Sequence, residues 1–396
     1  MLTYFGVSAA LLGTLINGLP TNELSLSSSI STSRISPSSR QAPTYWTPPM
    51  KSNIQFILTG IPDVDDNYIK PNTGVYEIDM FWTPAETIST MKQLGQRTIC
   101  YFSAATAETW RDDYKDFDKQ DLGKELPDWP GERYLDIRRD NVLKVIKKRI
   151  DLAQQKGCDA IEPDNVGKLP LFQKPSRKLP TNATKDVYSN DNGFKPDILP
   201  SDTVTYLHKI SQYARSKGMS VGIKNCIEIL GDIFDDVDFA ISEECVQYLN
   251  CTAYANFTTA PRPNTVGKPV FEVEYVNYTY NGGWSDDGVA LDPSKIRTNN
   301  VNFPGLTNEK LRRKLCNLDE PGVTLDKPYL KINTVIKTLA LDGFAMFCDG
   351  SVEKTNTKDV EGQTRPGTED WQVGKNRRSW ARERMWRRMG GRPVDP

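Results

Sequence analysis

Eight short runs of β-branched and aromatic residues recur along the chain, separated by stretches with helical spacing, and this alternation limits the folds open to it. The strand candidates are Ile54–Leu58, Val75–Phe81, Thr98–Ser103, Cys158–Glu162, Ser220–Lys224, Phe239–Glu243, Val270–Tyr275 and Gly343–Cys348. They are short and largely apolar rather than strictly alternating, which suits parallel strands covered on both faces. Helical stretches are expected at Pro84–Leu94, Asn141–Gln155, Thr203–Ser216 and Tyr329–Leu339. In Asn141–Gln155, Val142, Val145, Ile146, Ile150, Leu152 and Ala153 mark one side, with Lys and Arg on the other, and Gly157 stands where a C′ residue would end the helix. Strands alternating with helices imply a parallel sheet, and eight is the number that closes into a (β/α)8 barrel. A doubly wound open sheet is the alternative, weakened because no GxGxxG follows the first strand.

The flanks read differently. Residues 1–21 resemble a signal peptide: Leu2–Ile16 is apolar and too short for a membrane span, although no Lys or Arg precedes it. Residues 22–44 are Ser/Thr/Pro-rich and lack the apolar surface to offset ordering entropy, so a disordered linker is expected. The enzyme-sized domain is expected at 45–350, and 351–396 reads as a polar, then basic tail, with seven Arg and two Trp between Lys375 and Arg392. Four N-x-S/T sequons, at Asn182, Asn250, Asn256 and Asn277, agree with a secreted protein. An anchor formed by an uncleaved N-terminal segment is the rival reading.

A net charge of −1 gives no global electrostatic case for nucleic acid or acidic membranes. The single histidine, His208, sits in a surface-helix pattern, so chemistries resting on three histidines or on a Ser-His-Asp triad lose their basis. Seven cysteines form no CxxC or Cys/His cluster. Cys245 with Cys251, and Cys316 with Cys348, are possible disulfide pairs, Cys100 and Cys158 read as buried thiols, and Cys226 has no preferred reading. Carboxylates remain as the plentiful catalytic groups.

Active-site residues of a barrel lie at the carboxyl ends of its strands. Those ends carry Asp79, Ser103, Glu162-Pro163-Asp164-Asn165, Lys224-Asn225, Glu243-Glu244, Glu274-Tyr275 and Asp349. A single acid at a strand end is usually a cap or an ion-pair partner, but acids at five ends are harder to dismiss. Glycoside hydrolysis needs two carboxylates across a sugar, one ionised and one protonated. Ends four and six can converge over the mouth, so Asp164 is expected as nucleophile and Glu243 as acid/base. Composition separates neither Asp164 from Glu162 nor Glu243 from Glu244. Tyr101, Ser103, Glu162, Asn165 and Tyr275 are expected to bind substrate, and Trp82, Phe102, Trp110 and Tyr248 are further aromatic faces, with core packing the plainer reading for Tyr101 and Phe102. The surplus of acids suits a substrate bearing ammonium groups.

Seven segments, in order and spacing, carry a family resemblance: YEIDMF (76–81), ICYFSA (99–104), WPGERYLDIR (129–138), RIDLAQQKGCDAIEPDN (149–165), VGIKN (221–225), ISEECVQYLNC (241–251) and VFEVEYV (270–276). The chain resembles glycoside hydrolase family 114, the endo-α-1,4-polygalactosaminidases, from about Trp46 to Tyr275, with a thin match beyond 276. The resemblance implies a (β/α)8 barrel that cleaves α-1,4-linked galactosamine or N-acetylgalactosamine polymers without a metal. It places the two acids on Asp164 and Glu243 and lines the cleft with Asp79, Lys224, Asn225 and Glu274. Three departures stand out: the family's DNVDG continues here as Asp164-Asn165-Val166-Gly167, Ser242 replaces the usual Asn, and 168–200 and 280–330 read as insertions at the mouth.

The expectation is therefore a secreted, monomeric endo-glycosidase of galactosamine-type polysaccharide with a two-carboxylate, retaining mechanism, a polysaccharide as partner, no cofactor or metal, no nucleic acid, and no membrane partner once the signal is removed. Two other classes compete: a catalytically silent sugar-binding barrel, and a metal-dependent enzyme using Asp79, Glu162 and Asp164 as oxygen ligands.

Overall fold

A computed structural model describes residues 44–64, 68–126, 129–167, 192–280, 293–300 and 302–360. The expected signal peptide, almost all of the Ser/Thr/Pro-rich stretch, most of 168–200 and the basic tail lie outside them.

Eight parallel strands run β1 (Gln55–Ile57), β2 (Val75–Asp79), β3 (Arg97–Ser103), β4 (Ala160–Asp164), β5 (Ser220–Lys224), β6 (Phe239–Glu243), β7 (Val270–Tyr275) and β8 (Ile332–Lys337), each paired with the next. Two antiparallel strands follow, β9 (Phe344–Phe347) and β10 (Val352–Lys354). Across the seam, Leu58 N donates to Leu341 O at 2.9 Å and Gln55 Nε2 to Gly343 O at 2.9 Å. Ile54 and Phe56 share one apolar cluster with Val335, Ala345 and Phe347, so the first and last strands enclose a common interior. The fold is a (β/α)8 barrel.

The period of two along each strand explains both its faces. Inward positions begin apolar and end polar: Val75-Glu77-Asp79 on β2, Ile99-Tyr101-Ser103 on β3, Ala160-Glu162-Asp164 on β4 and Phe239-Ile241-Glu243 on β6. On β5 the middle inward position is Gly222, where a Cβ would stand 2.3 Å from the Phe239 ring. The lower layer is thus filled by side chains while the upper one is a ring of polar groups. Outward residues such as Tyr76, Ile78, Cys100, Phe102, Ile161, Val221 and Ile223 pack in the main core with the helices.

Helices α1 (Ala85–Gln93), α2 (Asp140–Lys156) and α3 (Pro200–Ser216) cover the outside as their spacing predicts. α2 buries Val142, Val145, Ile146, Ile150 and Ala153 and ends at Gly157 with φ 89. Arg149 departs from the expected charged side: it lies on the buried face, donating to Asp113 and to Ser103 O at the top of β3.

Four expectations are corrected. The eighth parallel strand is Ile332–Lys337, inside the stretch expected to be helical, whereas Gly343–Cys348 supplies an antiparallel strand. Ile332, Val335 and Ile336 mimic helical spacing, but four β-branched residues in a row of five favour the strand. The segment 280–330 is not merely an insertion, since it holds the outer helix Asn308–Leu315. The ordered chain runs past residue 350, with Thr357–Lys358 paired to Ile61–Pro62. Finally, Cys100 and Cys158 are joined as a disulfide, as are Cys245–Cys251 and Cys316–Cys348, while Cys226 is buried and outside these three disulfides.

Candidate active site

Three neighbouring strands end alike. Asp164, Lys224 and Glu243 are the last inward residues of β4, β5 and β6, and each is followed by a left-handed residue: Asn165 (φ 64), Asn225 (φ 55) and Glu244 (φ 58). The reversal stops each strand at the rim and turns the chain outward. Asn tolerates this conformation; for Glu244 it carries a cost of order 1–3 kcal/mol that the surroundings must hold.

Lys224 Nζ lies 3.2 Å from Glu243 Oε2, 3.6 Å from Asp164 Oδ1 and 3.6 Å from Glu162 Oε1. Asp164 and Glu243 therefore share one compartment, their nearest oxygens within about 7 Å, a spacing compatible with paired glycosidase carboxylates. Side-chain exposure is 17% for Asp164 and 23% for Glu243, against 8% for Lys224 and 0% for Glu162. Only the first two carboxyls reach the open mouth.

The electrostatics follow from that burial. Burial opposes charge on Lys224, yet Asp164, Glu243 and Glu162 hold its pKa well above the usual lysine range. Burial raises Asp164 above the usual carboxylate range, Lys224 pulls it down, and Glu243 adds to the rise. The Tyr101 hydroxyl donates to Asp164, and the Tyr275 hydroxyl donates to Glu243 Oε1. Beneath Lys224, burial pushes Glu162 up to about 8, and burial together with Glu162 holds Glu77 well above its ordinary range. Burial thus disfavours the charged form of both lower acids.

Supporting contacts fix the rim. Asn225 Oδ1 accepts the Glu243 amide at 3.0 Å. Asn165 Nδ2 donates to Ser103 Oγ at 3.0 Å and to Glu132 Oε1 at 3.3 Å, and Thr106 bridges Ser103 and Glu132.

Several expected substrate contacts stand elsewhere. Glu162 and Ser103 are fully buried, the first below Lys224 and the second behind Asn165. Asp79 sits at the top of β2 but is taken up by Arg111, which donates to Oδ1 at 3.0 Å and Oδ2 at 2.7 Å, and by the amides of Phe81 and Trp82. Glu274 is corrected outright: it lies on the outward face of β7, fully buried, accepting the Val246 amide at 2.7 Å. Glu244 turns away from the site toward Tyr248 and Gln247, which separates it from Glu243. Phe102 belongs to the core, as its plainer reading held. Sequence reasoning missed Glu77 and Glu132. The alternation 75-77-79 would have placed Glu77 inside the barrel, whereas Glu132 comes from an antiparallel ladder (Thr106–Glu108, Leu122–Leu126, Trp129–Leu135) that carries no positional signal.

Among the described residues, Cys245, Glu272 and Glu274 are grouped within 4.8 Å, but Cys245 is bound to Cys251 and offers no thiolate to a metal.

Two partly exposed carboxylates at the C-terminal mouth of a (β/α)8 barrel, joined by one buried lysine, have the layout of a carbohydrate-cleaving enzyme. The sequence profile of glycoside-hydrolase family GH114 matches residues 36–353, well beyond the stretch where the segment-by-segment resemblance was strong. The chain belongs to that family and is a glycoside hydrolase. Among solved structures, it is similar to Ega3 of Aspergillus fumigatus in complex with galactosamine, with 28% identity, a TM-score of 0.56, and coverage of 77% of this chain and 100% of that one. A looser likeness is to the glycoside hydrolase domain of PelA from Pseudomonas aeruginosa, with 8% identity, a TM-score of 0.41, and coverage of 73% and 96%. A search of curated proteins found no match.

Proposed function

We propose that the protein is a secreted endo-hydrolase of α-1,4-linked galactosamine and N-acetylgalactosamine polymers, working with Asp164 as nucleophile and Glu243 as acid/base. The observation that carries this reading is the position of Lys224, within 3.6 Å of Asp164 and 3.2 Å of Glu243. In the first half-reaction Asp164 attacks the sugar carbon and loses its charge, while Glu243 gives its proton to the leaving oxygen and gains one. One ammonium serves whichever carboxylate is charged, so the negative charge crosses the mouth without meeting an uncompensated site. In the second half-reaction Glu243 takes a proton from water, which releases Asp164 with net retention.

Tyr101 and Tyr275 orient the two acids, and Asn165 and Asn225 hold the rim. The excess of carboxylates over cations suits an amino-sugar polymer, as does the galactosamine bound by Ega3. Three disulfides support folding in an oxidising, extracellular compartment. No described helix is long and apolar enough to cross a membrane.

The test is incubation of the purified protein with galactosaminogalactan and a panel of other polysaccharides, following oligosaccharide release and anomeric configuration. Wild type should release oligosaccharides of retained configuration, and Asp164→Asn should bind without cleaving. A wild-type protein that binds but never cleaves would establish the sugar-binding alternative. Cleavage abolished by chelator and restored by Mg²⁺ or Ca²⁺ would establish the metal-dependent one.

A further inference from the structure

β7 presents Val273 and Tyr275 to the barrel interior, and Glu272 and Glu274 to the opposite side, where both are fully buried. One oxygen of each carboxyl is occupied: Glu272 Oε1 accepts the Cys245 amide at 2.7 Å, and Glu274 Oε1 accepts the Val246 amide at 2.7 Å. Those two amides open the short turn of helix Cys245–Tyr248, immediately after Glu243-Glu244. The other oxygen, Oε2, is buried on both residues with no donor reaching it. Since an oxygen of each lies within 4.8 Å of the other, two ionised carboxylates would repel at close range in a dry site, whereas a proton on one carboxyl removes that repulsion and can be donated to the other.

We propose that Glu272 and Glu274 are positioning residues for the reaction, a carboxyl pair sharing a proton that clamps the turn behind Glu243 and so fixes Glu243 against Lys224 and Asp164. This rests on the hydrolase reading above. The surroundings agree: Glu272 is faced by Glu274, Ser242 and Tyr254, and Glu274 by Glu272, Glu244 and Gln247, with no cation among the described groups that act most strongly on either carboxyl. Burial and Glu274 hold Glu272 well above the usual carboxylate range, and burial pushes Glu274 up to about 8. The Cys245–Cys251 disulfide closes the same loop, so the turn is held from both ends.

Glutamine tests the idea because its carbonyl oxygen can accept the Val246 amide and its NH₂ can take the place of the shared proton. Glu274→Gln should keep both amides protected from hydrogen exchange and leave kcat within about threefold. Glu274→Ala should speed exchange at Cys245 and Val246 by about tenfold or more, and lower kcat by about tenfold with KM changed less than about threefold. If Glu274→Ala does not fold, Glu274→Asp, which falls short of the Val246 amide, is read in its place. Glutamine behaving as badly as alanine or aspartate, or a truncation that leaves both amides protected, would overturn the proposal. Exchange is measured without substrate, so the two readings separate: a wild type inert toward every polymer defeats the hydrolase, while unprotected amides in the wild type defeat the clamp alone.

Discussion

Cys226 occupies the space that a side chain at position 167 would need: a Cβ built on Gly167 would stand 1.8 Å from Cys226 Sγ and 2.9 Å from its Cα. The acid that the family motif carries at this point is thus excluded by a neighbour on the next strand end. Restoring it by Gly167→Asp should lower stability by about 1–3 kcal/mol through overpacking, read as a lower Tm. Adding Cys226→Gly should recover part of that loss, because the sulfur goes but the backbone contact stays. An unchanged Tm in the single variant would show that the two loops move apart freely.

Lys224 is the cation against which both proposed acids are set, so its removal should affect chemistry more than folding. In Lys224→Met, Asp164 loses the group that pulls its pKa down while burial and Glu243 continue to raise it. The nucleophile then keeps its proton to higher pH, and the acidic limb of the kcat/KM profile should move upward. A loss of about 100-fold or more in kcat near pH 6 is expected. Unmoved limbs, with loss confined to KM, would assign Lys224 to substrate binding alone.

The barrel was legible because its strands announce themselves as apolar runs, and its polar layer because carboxyl ends collect acids. What stayed hidden depends on side-chain direction and three-dimensional proximity. Glu274 looks like a cleft residue by position, yet one step in a period of two puts it behind the wall, paired with Glu272. Ile332–Lys337 was obscured because its apolar residues satisfy helical spacing as well as a strand does. Asp79 is at a strand end as expected, but Arg111, far from it in sequence, takes up its carboxylate. Glu243 and Glu244 are equivalent by composition, and only the left-handed turn at Glu244 sends them in opposite directions.

The Cys100–Cys158 disulfide ties β3 to the entry of β4, beneath the strands that carry Tyr101 and Asp164, and spans 58 residues. Closing a loop of that length in the unfolded chain contributes about 4 kcal/mol in the chain-entropy account. Cys100→Ala/Cys158→Ala should therefore lower the denaturation midpoint by the equivalent of about 2–5 kcal/mol, while the folded fraction keeps its kcat. Losing activity in proportion to neither stability nor folded fraction would instead give the bridge a direct part in placing Tyr101.

Stability should also depend on pH in a defined sense. Glu162 and Glu274 are each pushed from 4.5 up to about 8 by burial, so the folded protein holds protons that the unfolded chain has released. Wherever the folded state binds more protons, unfolding free energy falls as pH rises, which sets the window from 4.5 to about 8. Lys337, lowered by burial from 10.5 to about 7, acts in the opposite direction, but only above that lower value, where the unfolded lysine keeps a proton the folded one lacks. Between about pH 5 and 7 the acids act alone, and Tm should fall, with each proton contributing at most about 1.4 kcal/mol per pH unit. Glu162→Gln, which is neutral at every pH, should flatten that slope. A Tm that is level or rising across this interval, or a slope unchanged in the variant, would mean that Glu162 is ionised in the folded barrel and that Lys224 shares its charge among three carboxylates rather than two.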